Sequence, residues 1–173
     1  MRDQDGNVKK SLKERFLGLA DKVPGLGDYL GREKMRDQDR ILRTHTAEQI
    51  TQIKMSIDDV KRELLSQGKL GLLDDLEGLT RKLDHARDTH RFEAYGFTGL
   101  FDPNQVMEDE LGQLYDADEK ILSEVERVRE MVSGIGAGAT EDSVKQALPM
   151  LRQTIQDLLN LVLARKDTLK KLG

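Results

Sequence analysis

The chain has 173 residues and no cysteine, no tryptophan, only three prolines and seven aromatics, 4% of the total. Without cysteine there is no disulfide framework, no thiolate-held zinc or iron–sulfur site and no thiol nucleophile. The low aromatic content, with 35% charged residues against the ~25% of an average soluble domain, argues against a β-sandwich or an α/β sheet and for long amphipathic helices. No apolar run approaches the ~20 residues of a membrane span, and none resembles the core of a signal peptide. These features predict a soluble, cytoplasmic, helical protein.

Charge is nearly balanced overall, with 28 basic and 32 acidic side chains, but not along the chain. Residues 1–27 carry a net +2, residues 103–133 a net −6 and residues 140–173 a net +2. An acidic segment followed by a basic one suits two antiparallel neighbours. A nucleic-acid surface would need a basic stripe, and none is present, so no nucleic-acid partner is expected.

Turn signals at Pro24-Gly25-Leu26-Gly27, Gln67-Gly68, Tyr95-Gly96 through Pro103, and Gly134 through Gly138 divide the chain. Five helical segments lie between them, over about 7–22, 28–67, 69–95, 102–133 and 140–172. Asp28 is placed to cap the second. Asp102 caps the fourth, with Pro103 in its first turn. Pro149 predicts a kink in the fifth, or a start nearer Ala147. Met-Arg-Asp-Gln-Asp occurs at both 1–5 and 35–39, but the sequences that follow differ, so no repeat architecture is implied.

Apolar residues recur at alternating steps of three and four: Ile50, Ile53, Ile57, Val60 and Leu64; then Leu72, Leu76, Leu79, Leu83 and Ala86; then Leu111, Leu114, Ile121, Val125, Val128 and Val132; then Val144, Leu148, Leu151, Ile155, Leu158 and Val162. Four consecutive seams of this kind, joined by short connections, predict an all-α fold. Residues 28–173 form an elongated antiparallel four-helix bundle of coiled-coil-like hairpins. Residues 1–27 supply a short N-terminal amphipathic helix and its Pro-Gly turn.

Polar residues interrupt these seams. Asp118 stands where an apolar knob is expected, as does His90, and the seam of the second helix runs back through Thr46 and Arg43 to Asp39 and Arg36. A buried charge must be paired, because losing one partner costs ~3–5 kcal/mol. The expectation is a polar layer in which Arg36 or Arg43 neutralises Asp39 and Asp118, with His90 nearby. The alternative is that the seam drifts with the 3.6-residue period and these groups reach solvent. Neither a catalytic group nor a cofactor is expected. Ferritin-like bundles hold metal with Glu-x-x-His, but the residues three before His45, His85 and His90 are Leu42, Lys82 and Arg87. The reversed spacings His45–Glu48 and His90–Glu93 arise easily in a Glu-rich helical chain. The Gly134–Gly138 stretch lacks the strand and Lys-Ser/Thr of a phosphate loop.

Val8, Leu12, Phe16 and Leu19 line one face of the first helix, with Lys9, Lys10, Lys13 and Arg15 off it. Such a helix can dock on the bundle, lie on an anionic membrane, or bind a partner. The loop Tyr95 to Asp102 holds Tyr95, Phe97, Leu100 and Phe101, and either plugs one end of the bundle or binds a partner.

Two stretches, Val23 to Arg43 and Tyr95 to Asp102 followed by Leu114 to Asp118, resemble an uncharacterised family of bacterial helical-bundle proteins. Its pattern is a Pro-Gly-aromatic turn, a Glu/Arg-rich helix ending in Asp-x-x-Leu-Arg, and a Gly-Leu-Phe-Asp loop. The matching positions are Pro24, Gly25, Tyr29, Glu33, Arg36, Asp39, Arg43, Gly96, Gly99, Phe101, Asp102 and Asp118. Leu26 replaces the aromatic, and Asp28 a frequent glycine. The resemblance covers about a third of the chain. It implies association with flotillin-like (SPFH) membrane-scaffold proteins, and hence an envelope-associated assembly role. Together these features predict a non-enzymatic cytosolic scaffold or adaptor with protein partners, open to homo-oligomerisation. The alternative is a peripheral membrane protein at the inner face, resembling stress-type coiled coils, with the N-terminal helix as its foot.

Overall fold

A computed structural model describes residues 11–29, 35–92, 108–136 and 138–172. The Tyr95–Asp102 loop, Val8, Glu93 and the Asp102-Pro103 start signal lie outside these residues.

The fold is all-α. Helix α1 (Leu12–Ala20) leads through a 3-10 turn (Leu26–Tyr29) to α2 (Met35–Ser66), α3 (Leu73–Arg91), α4 (Glu108–Ile135) and α5 (Glu141–Leu172). At ~1.5 Å per residue, α2 and α5 are each ~48 Å long. Ser11 caps α1: its hydroxyl accepts from Glu14 N–H, while the Glu14 carboxylate accepts from Ser11 N–H at 2.7 Å. Two such bonds satisfy donors that a helix start otherwise leaves exposed.

Helix α2 ends in a paired-bond stop. Gly68 N–H donates to Leu65 O and Lys69 N–H to Leu64 O, with Gly68 at φ 72°. Only glycine adopts that backbone without strain, which fixes the hairpin here. Residues 69–72 therefore turn, and α3 begins at Leu73 rather than near 69. In the α4–α5 hairpin, whose turn lies beside this one, a Cβ on Gly136 (φ 54°) would meet Ser133 O at 2.9 Å. Thr140 caps α5, its hydroxyl accepting from Ser143 N–H at 3.2 Å.

One expected cap needs correction: Asp28 falls inside the 3-10 turn instead of capping a helix. The fifth helix keeps its expected span, running from Glu141 through Pro149 to Leu172, which excludes the alternative start near Ala147. Proline removes one donor and crowds one carbonyl, a cost of ~3 kcal/mol that the burial of Leu148 and Leu151 offsets.

Helices α2–α3 and α4–α5 form antiparallel hairpins, and α3 packs on α5 and α2 on α4 to close the bundle. A large apolar cluster fills the lower two thirds with residues such as Ile53, Leu79, Val128 and Leu158, all at most 2% exposed. A smaller one at the upper end joins Phe16, Leu19, Val23 and Leu26 to Met35, Leu42, Leu114, Tyr115, Leu122 and Leu169. There α1 packs along α4: Arg15 donates to Gly112 O at 2.8 Å and pairs with Asp116. Of the predicted docking face, Leu19 is fully buried, Phe16 nearly so and Leu12 partly.

Candidate functional site: a buried charge layer

The charged layer sits on top of the large apolar cluster, one helical step beyond Ile121 and Val162. Asp118 is 2% exposed and Arg165 1%. Arg165 Nε donates to Asp118 Oδ1 at 2.6 Å, and its terminal nitrogen donates to Asp39 Oδ1 at 2.7 Å and Asp118 Oδ2 at 3.2 Å. One guanidinium thus ties α5 to α2 and α4. Arg43 Nε donates to the other Asp39 oxygen at 2.8 Å. Its terminal nitrogen reaches the carbonyls of Arg91, at 2.7 Å, and His90, at 3.5 Å. A cation there meets the negative end of the α3 dipole. All four bundle helices therefore contribute to one network.

Two carboxylates and two guanidiniums balance formally. Burial nevertheless pushes Asp118 up from its ordinary 3.8 to about 6, against the pull of Arg165, and the neighbouring Asp39 charge adds to the rise. His90 is 1% exposed, and neither ring nitrogen has a hydrogen-bond partner among the described residues. Burial drives its pKa well below 6.5, helped by the positive charges of Arg165 and Arg43, so the ring is neutral. On the α1 side, Tyr115 O–H donates to Gln38 Oε1 at 3.4 Å and its ring lies 5.9 Å from that of Phe16. Burial raises the Tyr115 pKa as well, keeping the phenol protonated.

Asp39, Arg43, His90 and Asp118 come together from three helices. Arg36 does not join them: it is exposed, while Met35 and Gln38 turn inward. A straight helix drifts ~20° per heptad from a 3.5-residue seam, so extrapolating back from Ile50 overshoots. The upper end also adds α1 as a neighbour, which draws Met35, Gln38 and Leu42 into the second cluster. Arg165, the centre of the network, was absent from the sequence expectation. It was within reach, because three residues beyond Val162 the α5 seam lands on Arg165 and four further on Leu169.

No acidic and histidine cluster suited to a metal ion occurs among the described residues. No helix among them is long and apolar enough to cross a membrane. Comparison with family models, curated proteins and solved structures gives no match.

Proposed function

We propose that the protein is a non-enzymatic helical scaffold or adaptor that binds protein partners. The observation that carries this reading is the commitment of the layer to itself. Arg165 and Asp118 bind one another with side chains 0% and 2% exposed, out of reach of any substrate. Charge invested there holds four helices together and leaves long outer faces for recognition. The buried apolar face of α1 favours this reading over a membrane foot, since Phe16 and Leu19 must leave α4 before they can enter lipid. The family resemblance adds an envelope-associated assembly, on the cytosolic side, as the setting.

The test is tandem affinity purification of the tagged full chain from its own host, with vesicle co-sedimentation alongside. A partner retained at fixed stoichiometry through both columns, with no pelleting on anionic phosphatidylglycerol vesicles, is the expected outcome. Recovery of the chain alone, or salt-sensitive pelleting that disappears when residues 1–23 are removed, overturns the adaptor reading.

A further inference from the structure

Helix α1 fills the upper part of the groove between α2 and α4. Where the chain leaves α1, at Lys22 and Pro24, the groove opens into a cavity of about 550 Å3. That lies within the roughly 300–1,000 Å3 of small-molecule sites. Leu122 and Val125, with Pro24, make an apolar floor, and His45 and Gln49 form the α2 wall. Arg129 reaches across from α4 to Gln49 Oε1 at 3.0 Å and closes the lower end. From Leu122 to Arg129 is two helical turns, ~10 Å, too short and narrow for a helix that is itself ~10–12 Å across. The space suits a compact molecule rather than a peptide helix.

The rim has a chemical sign. Lys22 and Arg129 face the cavity against a single acid, Glu126, which pairs with Arg129. Among the lining residues the cations outnumber the acids by one, with Glu119 beside Lys22 and Glu48 beside His45 just outside the lining. Lys22 is held only loosely, 3.6 Å from Glu119 and 42% exposed. Between the rim and the floor stands His45, half-buried, with no hydrogen bond to its ring from any described residue. Burial lowers its pKa, so at neutral pH the imidazole offers one donor and one acceptor nitrogen.

We propose that this cavity binds a small amphipathic organic anion, its apolar body on Leu122, Val125 and Pro24 and its carboxylate at Lys22 and Arg129. The proposal stands apart from the scaffold reading, since a ligand site on an adaptor and one on any other helical protein would look the same.

Calorimetric titration of the purified full chain with octanoate, octylammonium and octanol tests it. Octanoate is expected to bind at one site, roughly tenfold tighter than octylammonium. Arg129→Gln and Lys22→Gln should each weaken octanoate about threefold or more while leaving octanol unchanged. Both side chains are more than 40% exposed, so the variants keep the fold, which unchanged thermal melting verifies. Ser123→Trp at the exposed rim should exclude all three probes. Equal affinity for the anion and the cation, indifference to both charge variants, or no saturable binding overturns the proposal.

Discussion

The lower and upper parts of the bundle solve the same packing problem differently. Below, four helices meet mainly through Ile, Leu and Val, with Ala86 and Ala139 among them, in layers that repeat every three or four residues. Above, the same helices meet through Asp39, Arg43, His90, Asp118 and Arg165, and a fifth helix seals one side. The lower part draws its stability from area removed from water, about 25 cal/mol per Å2. The upper part removes charge from water, and it holds only while each ion keeps its partner. Stability and sensitivity are thus separated along one axis.

The sharpest way to break this contrast is Arg165→Met. It leaves Asp39 and Asp118 buried without their shared cation, and should lower the unfolding free energy by about 3–5 kcal/mol in urea titration. Wild-type stability in that variant would erase the distinction between the two regions. Leu158→Ala in the lower part should cost about 2–5 kcal/mol through its cavity, but equally at every pH. Dependence on pH belongs to the upper part, where two groups oppose each other. His90 is neutral when folded and protonates at 6.5 once unfolded, so its share of stability is lost as pH falls below 6.5. Asp118, raised from 3.8 to about 6, holds a proton more readily when folded, so its effect favours folding as pH falls through 6. Relative to His90→Leu, the wild type should therefore lose up to about 2 kcal/mol between pH 7.5 and 5. A difference that stays flat would mean His90 is not buried as neutral imidazole. Ser11→Ala removes the α1 cap and should cost about 1 kcal/mol, seen as faster amide exchange confined to the upper cluster. The smallest effect is expected from Arg62→Ala, which breaks an exposed pair with Asp59 and should change stability by less than ~0.5 kcal/mol in either region.

How far the sequence reaches follows the same division. The lower part is legible because a seam of Ile53, Leu79, Val128 and Leu158 has one use, and Gly68 announces the hairpin that pairs it. In the upper part, the breaks at Asp39, Arg43, His90 and Asp118 are equally visible, but their pairing is not. Arg165 meets Asp39 across 126 residues, and no local pattern carries that information. Arg36 shows the opposite failure, since a rigid seam continued too far assigns an exposed residue to the interior. The stripe on α1 leaves open whether bundle, lipid or partner covers it. Only the α4 surface beside Gly112 and Asp116 distinguishes them.

The ion network has a consequence for alignment. In the repeating apolar seams, sliding one hairpin past the other by seven residues, ~10 Å, exchanges Leu for Ile and costs little. The same slip would set Arg165 beside aliphatic side chains and strand two carboxylates in the dry interior. The layer thus acts as a notch on an otherwise featureless ruler: it fixes where along their length the hairpins stop.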